Sequence, residues 1–231
     1  MKFPVIILVV EISFLGHSCF RIKGKNTILL TDPFAEEIGF SFPKTTADII
    51  TVSHQHHDHN NAAAVMGTIR RSAPFVVAGP GEYEIAGVFI YGIPSFHDAE
   101  EGAQRGGNTI YVINMDGVRL AHLGDLGHKL SDRQLEEVNG VDVLMIPVGG
   151  NYTLSAAEAV AVIGQVEPKV VIPMHYKMPG VNIDIAPVED FVKEVGLEAI
   201  KKEEKLVIYA DRLPEERQIV ILNARNQNSA S

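Results

Sequence analysis

Short apolar runs broken by polar turns dominate the first half of the chain, and longer amphipathic stretches appear in the second. Glu11–Leu15 alternates in the manner of a half-buried strand, and Cys19–Ile22 and Thr27–Thr31 follow as apolar runs. Gly16 and Lys23-Gly24-Lys25-Asn26 separate them, which predicts hairpins. Asp48–Val52 is a compact strand, Ala62–Arg71 has helical composition, and Phe75–Ala78 and Gly87–Ile93 return to strand. Asn108–Asn114 and Val118–Leu123 flank Asp116-Gly117, a strong hairpin turn.

The second half alternates. Ser131 with Gln134 and Ser155 with Glu158 have the spacing of capping boxes, each opening a helix. Val141–Val148 and Lys169–Pro173 are buried-strand patterns, Val188–Val195 is a short helix, and Leu206–Tyr209 and Ile219–Leu222 are late strands. Strands first and then strands mixed with helices predict an α/β (α+β) chain, two packed sheets with helices outside. No linker-like segment or repeat interrupts residues 1–231, so one domain is expected, with 1–10 as an N-terminal extension, either an extension of the first strand or a loose arm, and 223–231 as a loose polar tail. The opening apolar run is shorter than a membrane span and leads straight into a strand. No membrane association is expected, and the cytoplasm is the expected compartment.

Composition changes this picture in two ways. With 29 Asp and Glu against 20 Lys and Arg, the net charge is −9, and no basic block is present to neutralise phosphates. That makes nucleic acid an unfavoured partner but leaves room for a small anionic substrate, because bound metal ions invert the local field. The single cysteine, Cys19, excludes an intrachain disulfide and reads as a small buried hydrophobe.

The chemistry concentrates in His54-Gln55-His56-His57-Asp58-His59, at the end of the Asp48–Val52 strand. Imidazoles and a carboxylate packed into one loop are ligands for catalytic zinc and related divalent ions. His97, Asp125 and His175 each follow a predicted strand and are further ligand candidates. His57 is left out of the metal set, His122 reads as a structural hydrogen-bonder, and His128 as a proton donor or a surface residue. The Asn151-Tyr152-Thr153 run is a candidate for contacting substrate or simply the start of a helix, Tyr176 and Lys177 are candidates for contacting an anionic group, and His17 for lining the pocket or for a supporting or core position. The run Gly81-Glu82-Tyr83-Glu84 suggests no function.

These motifs together resemble the metallo-β-lactamase superfamily, and within it the branch similar to L-ascorbate-6-phosphate lactonase. The marks are Gly16-His17-Ser18, Thr31-Asp32-Pro33, the His54–His59 run, Phe96-His97, Gly124-Asp125, Val148-Gly149-Gly150 and Pro173-Met174-His175-Tyr176, spread over about residues 11–210. The resemblance implies a four-layer αββα sandwich with a dinuclear metal site at one edge. It assigns His54, His56 and His97 to one ion, Asp58, His59 and His175 to the other, and Asp125 to both. Asp32 would orient the histidine loop from outside the ligand shell.

Two divalent ions, zinc before manganese or iron, would lower the pKa of a shared water and so supply hydroxide near neutral pH. Asp58 could also accept or orient its proton. The expected enzyme is a metal-dependent hydrolase acting on a small ester, lactone or phosphodiester. An RNA-processing phosphodiesterase and a non-catalytic metal-binding interaction module are the alternatives, with β-lactam hydrolysis at most a side activity. Oxygen or nitric-oxide reduction at a di-iron site is disfavoured, since that branch carries a glutamate where this chain has His56. Related proteins commonly associate, which is compatible with a homo-oligomer.

Overall fold

In the computed structural model, which describes residues 8–197 and 202–225, the alternation after Leu8 becomes strand β1 (Val9–Gly16). Val9 and Val10 are therefore part of the sheet, as a strand extension would be; residues 1–7 lie outside the described residues. The chain continues through β2 (Cys19–Lys23), β3 (Ile28–Thr31), β4 (Ile49–Val52) and β5 (Phe75–Ala78). It then runs through β6 (Gly81–Ile85), β7 (Val88–Phe96), β8 (Gly107–Met115) and β9 (Val118–His122). Helix α1 (Asp132–Val138), β10 (Val143–Pro147), α2 (Ala156–Val166), β11 (Val170–Met174) and α3 (Val188–Glu194) follow. The short strands β12 (Lys202–Glu203), β13 (Leu206–Tyr209), β14 (Gln218–Ile219) and β15 (Ile221–Leu222) complete the described chain.

Two large sheets form, one in the order β13-β1-β2-β3-β4-β5 and the other in the order β14-β11-β10-β9-β8-β7-β6. Their inner faces share one apolar core. Phe14 and Phe20, with ring centroids 5.0 Å apart, are among its largest fully buried side chains. Each sheet contains three adjacent parallel strands: β3 beside β4 and β4 beside β5 at one side of the first, β9 beside β10 and β10 beside β11 within the other. Their carboxyl ends therefore open on a common edge, where loops can carry chemistry without breaking the ladder.

Local choices support this frame. Both capping boxes form: Ser131 Oγ accepts from Gln134 N and Ser155 Oγ from Glu158 N, with each N3 side chain reaching back. At Asp116-Gly117 both residues have positive φ, 48° and 78°, as a tight hairpin between β8 and β9 demands. The Gly81-Glu82-Tyr83-Glu84 run is strand β6, at the edge of the second sheet, with its glutamates exposed.

Two expectations fail. Residues 62–71 are not a helix; only Ala62–Ala64 makes a single 3₁₀ turn. Tertiary pairing takes the rest of the segment: Met66 N donates to Thr45 O and Ala47 N to Met66 O, while Thr68 Oγ1 donates to Asp48 Oδ1. Gly67 fits there because a β-carbon would lie 2.1 Å from Arg71 O. The start of the expected tail is also ordered. Ala224 is buried, Asn223 N donates to Glu203 O, and Arg225 N donates to Phe14 O. Residues 226–231 lie outside the described residues.

Candidate metal centre

The site grows out of the parallel trio β3-β4-β5. The register Thr31↔Thr51 sets Asp32, just past β3, beside Ser53, just past β4. Asp32 N donates to Thr51 O (2.9 Å), Ser53 N donates to Asp32 Oδ1 (2.8 Å) and Ser53 Oγ donates to Asp32 Oδ2 (2.5 Å). The second sheet is stitched on at the same level. Tyr111 Oη donates to Val52 O (2.9 Å), Thr109 N donates to Ser53 O (2.9 Å), and Asp125 N donates to Asn108 Oδ1 (3.0 Å). Gly124 lies between: a β-carbon there would stand 2.3 Å from Asn108 Oδ1 and 2.6 Å from Ser53 Cβ, and its φ is +55°.

Around this frame the structure brings together His54, His56 and His97 as one cluster of candidate ligand atoms, and His17, Asp58, His59 and His175 as a second. Asp125 sits where the two meet. Its Oδ2 is 3.1 Å from His97 Nε2, 3.2 Å from both His59 Nε2 and His175 Nε2, and 3.9 Å from His54 Nε2. Every one of these residues except His56 and Asp58 is buried.

Three of the imidazoles are held from behind. His59 Nδ1 donates to Asp32 Oδ2 (2.9 Å), and His97 Nδ1 donates to Tyr152 O (3.1 Å). His54 Nδ1 donates to Ser53 Oγ (3.0 Å), whose own proton goes to Asp32. Each ring is thereby fixed with Nε2 turned toward Asp125, the arrangement by which outer partners orient metal ligands. His54 Nε2 and Asp125 Oδ1 are buried with no hydrogen-bond partner among the described residues. A buried polar atom left bare costs about 1–3 kcal/mol, so such convergence of acceptors needs a cation. The residues fit divalent metal ions: imidazole nitrogens and carboxylate oxygens, deeply placed and pre-oriented.

Electrostatics agree with this fit. Burial pushes the His17 pKa down to about 4, with the neighbouring His175 adding to the effect, and burial together with His59 takes His54 down to about 3. Both rings are neutral near pH 7, the form that ligates. Burial opposes the charges on Asp58 and Asp125, but the surrounding histidines outweigh it and hold both carboxylates below their usual range. His59 is the exception: burial disfavours its charge, yet Asp125 and Asp32 raise it well above an ordinary imidazole.

A cleft of about 490 Å³ opens over the cluster, lined by His56, Asp58, His97, Asp125 and His175 and rimmed by Glu37, His57, Arg105, Tyr152 and Asn182. The residues expected to meet substrate are arranged differently. His17 is buried inside the second cluster, its Nε2 3.2 Å from Asp58 Oδ2 and from His59 Nε2, and it does not line the cleft. Asn151 turns its amide to Asp184 O (2.8 Å) and lines a neighbouring cleft. Tyr176 is buried, 6.1 Å from the Phe14 ring, and borders a separate cleft with Lys177 and Glu189. His122 makes a structural bond, Nε2 donating to Ser18 O (2.8 Å). Both nitrogens of His128 are engaged, with Nδ1 donating to Lys129 O and Nε2 accepting from Phe96 N. Of the Asn151-Tyr152-Thr153 run it is Tyr152 that lines the cleft, and it is joined there by Arg105, which drew no notice in the sequence; Arg105 follows His97 by a Gly-rich loop whose only sequence sign is Asp98 before Gly102 and Gly106.

Comparison with known proteins agrees with this architecture. Residues 11–175 match the family described as the beta-lactamase superfamily domain. A UPF0173 metal-dependent hydrolase of Thermococcus kodakarensis is 33% identical over 72% of this chain and 84% of its own length. Another from Thermococcus onnurineus is 32% identical over 81% of this chain and 92% of its own. Among solved structures, a Thermotoga maritima protein assigned to the Zn-dependent hydrolases of the metallo-β-lactamase superfamily superposes with a TM-score of 0.75. It is 36% identical and covers 92% of this chain and 98% of its own. With its buried His/Asp cluster at the common edge of two sheets, the chain belongs to the UPF0173 family of metal-dependent hydrolases within the metallo-β-lactamase superfamily.

Proposed function

We propose that this protein hydrolyses a small ester, lactone or phosphodiester at two divalent ions, zinc by preference, held by His54, His56 and His97 and by Asp58, His59 and His175, with Asp125 serving both. The observation that carries the reading is the meeting of both histidine groups at Asp125, with His54 Nε2 and Asp125 Oδ1 buried and bare of protein partners. The donor set is rich in imidazole with carboxylates added, which suits zinc and is tolerated by manganese and iron.

Divalent ions bound there would acidify water near neutral pH and draw electron density from the attacked carbonyl or phosphorus. The protein's own contribution is to place and to polarise. Asp32 and Ser53 fix the rings of His59 and His54, and Tyr152 O fixes that of His97. Asp58 is held ionised, and Oδ2 is the oxygen engaged by His17 and His59. Asp58 also lines the cleft, where it would accept or orient a proton of the attacking water. The cleft volume is that of a small-molecule site, and the chain's net charge of −9 opposes a grip on long nucleic acid. Within this class, the resemblance of the motifs to the ascorbate-6-phosphate lactonase branch favours lactone opening.

The test is turnover of a panel containing a phosphodiester, a lactone, a carboxylic ester and a β-lactam by metal-loaded protein, with and without chelator. Chelator-sensitive hydrolysis of one of the first three is expected. Turnover that persists in metal-stripped protein, or that is confined to the β-lactam, would refute the reading.

A further inference from the structure

The loop that follows His97 is built around one carboxylate. Asp98 Oδ1 accepts from Glu100 N (2.8 Å) and Gly102 N (2.9 Å), and Oδ2 accepts from Gln104 N (3.0 Å) and Arg105 N (2.8 Å). Burial alone would raise the Asp98 pKa, but these four N–H groups bring it down to about 2. Gly106 N donates back to Gly102 O (2.9 Å) and His97 N donates to Gly106 O (3.0 Å), so the loop closes on itself at a residue of the metal cluster.

This support ends in Arg105. One guanidinium nitrogen, Nη2, donates to Asn151 O (3.3 Å), and the group lies over the Tyr152 ring, 5.5 Å from its centroid. The same loop accepts His97 Nδ1 at Tyr152 O, so the arginine and a candidate ligand rest on adjacent carbonyls. Guanidinium offers five N–H donors in a planar fork. Among the described residues no carboxylate pairs with Arg105, and it is the one Lys or Arg side chain lining the cleft that holds Asp58, His97, Asp125 and His175. It also borders the adjoining cleft of about 400 Å³ beside His54 and His56. Glu37, on the 3₁₀ turn Glu36–Ile38, also lines the cleft and is not paired with Arg105. Arg105 is thus the fixed positive group of a cleft whose carboxylates are Glu37, Asp58 and Asp125, and an anionic substrate group is drawn to it.

An ordinary surface arginine is a solvated chain on a loose loop. Here four backbone N–H groups, that of Arg105 included, are spent on fixing the loop, and the charge is left without a counter-ion beside the reactive cluster. We propose that Arg105 is the anion-recognition residue of this site: the substrate carries a carboxylate or phosphate, separate from the bond that is cleaved, which the guanidinium binds, with Asp98 as a positioning residue. The inference deepens the hydrolase reading above and rests on it for the identity of the cleft.

The experiment uses three 4-nitrophenyl esters: the hemisuccinate, the 3-phosphonopropionate and, as the neutral analogue, the methyl succinate. Metal-loaded wild type, Arg105→Ala, Arg105→Lys and Asp98→Asn are compared for kcat and KM on each, for metal content, and for calorimetric binding of succinate and of 3-phosphonopropionate. Wild type is expected to prefer one anionic ester, and whichever it prefers identifies the carboxylate or the phosphate. Arg105→Ala should cut that preference roughly 10- to 100-fold, as loss of a charge-assisted bond does, mostly through KM and with metal content unchanged. Arg105→Lys should recover part of it, since the charge returns without the fork. Asp98→Asn should raise KM for the anionic ester by a larger factor than it lowers kcat. Equal preference and equal anion affinity in wild type and Arg105→Ala would overturn the inference and leave the hydrolase reading intact. If no ester is cleaved, the ester-hydrolase reading fails, and the calorimetric arm decides alone: anion binding that depends on Arg105 supports the inference, and binding that is absent or unchanged in the variant overturns it.

Discussion

His17 and His175 are bound to each other through the backbone, His175 N donating to His17 O at 2.8 Å, and their rings lie 4.4 Å apart. Both hold φ in the left-handed region, 56° and 52°, where non-glycine residues carry a cost of about 1–3 kcal/mol. One residue comes from the β1–β2 turn and the other from the end of β11, so this contact ties the two sheets at the second histidine cluster. The strain persists because the rings it places converge on Asp58, His59 and Asp125.

That relationship makes His17→Gly an informative variant. Glycine suits the left-handed backbone and removes only the ring, so any metal lost is lost through the imidazole and not through strain. With His17 Nε2 3.2 Å from Asp58 Oδ2 and His59 Nε2, we expect metal affinity at the second cluster to fall at least tenfold while the thermal midpoint of the metal-free protein is retained or raised. Competition with a chromophoric chelator measures the first and calorimetry the second. Unaltered affinity would show that His17 is packing and nothing more.

Asp32→Asn tests the support behind the cluster. Asp32 Oδ2 accepts from both Ser53 Oγ and His59 Nδ1, so an amide must present its NH₂ group to one of them or turn it onto Ser53 N. Facing His59, the amide would favour a proton on Nε2, the nitrogen that points to Asp125. Metal affinity should drop about 10- to 100-fold, the usual cost of losing such an outer partner. A variant with wild-type affinity would remove Asp32 from any role in orienting His59.

The candidate metal ligands were legible because they stand in loops that follow apolar strands, and those strands are visible in the sequence. The hairpin at Asp116-Gly117 and both capping boxes were legible for a similar reason: their chemistry is complete within a few residues. Segment 62–71 was not, because its backbone partners are Thr45 and Ala47, and composition does not encode such pairing. Tyr176 follows His175 in sequence yet packs on Phe14, more than a hundred residues earlier, so adjacency to a ligand said nothing of direction. Arg105 was hidden for the opposite reason. Its meaning depends on Asp98 folding the intervening loop back beside Asn151 and Tyr152.

Gly124→Ala should be costly where Gly140→Ala is not. At Gly124 a methyl group meets Asn108 Oδ1 at 2.3 Å and Ser53 Cβ at 2.6 Å with φ at +55°, whereas at Gly140, φ +72°, nothing lies within 4 Å. Overpacking added to the left-handed backbone should cost about 2–4 kcal/mol at Gly124, against about 1–2 kcal/mol for the backbone alone at Gly140. Thermal melts of the two variants should therefore separate by several degrees. Equal midpoints would mean that Asn108 and Ser53 yield freely, and that the ladder holding Asp125 is softer than its hydrogen bonds suggest.

Acidification should release metal in two stages. In the metal-free protein His59 keeps its proton above the ordinary imidazole range because Asp125 and Asp32 face it, so a metal ion entering the second cluster must displace that proton. Below the raised His59 pKa one proton competes with the metal, and affinity falls about tenfold for each unit of pH; above it the competition vanishes. His17 and His54 take up protons only near their lowered values of about 4 and 3, so they leave this slope unaltered at mild acidity and steepen it lower down. Asp125 and Asp58 stay ionised through this range, since the histidines hold both below the usual carboxylate values. Chelator competition between pH 5 and 8, with calorimetry in buffers of different ionisation enthalpy, should therefore find one proton released for each ion entering the second cluster. Release of none would mean that His59 is already neutral and that Asp32 only orients it. Release of two or more at pH 6 would place a second protonated ligand in the cluster beside His59, and burial rules out His17 as that ligand.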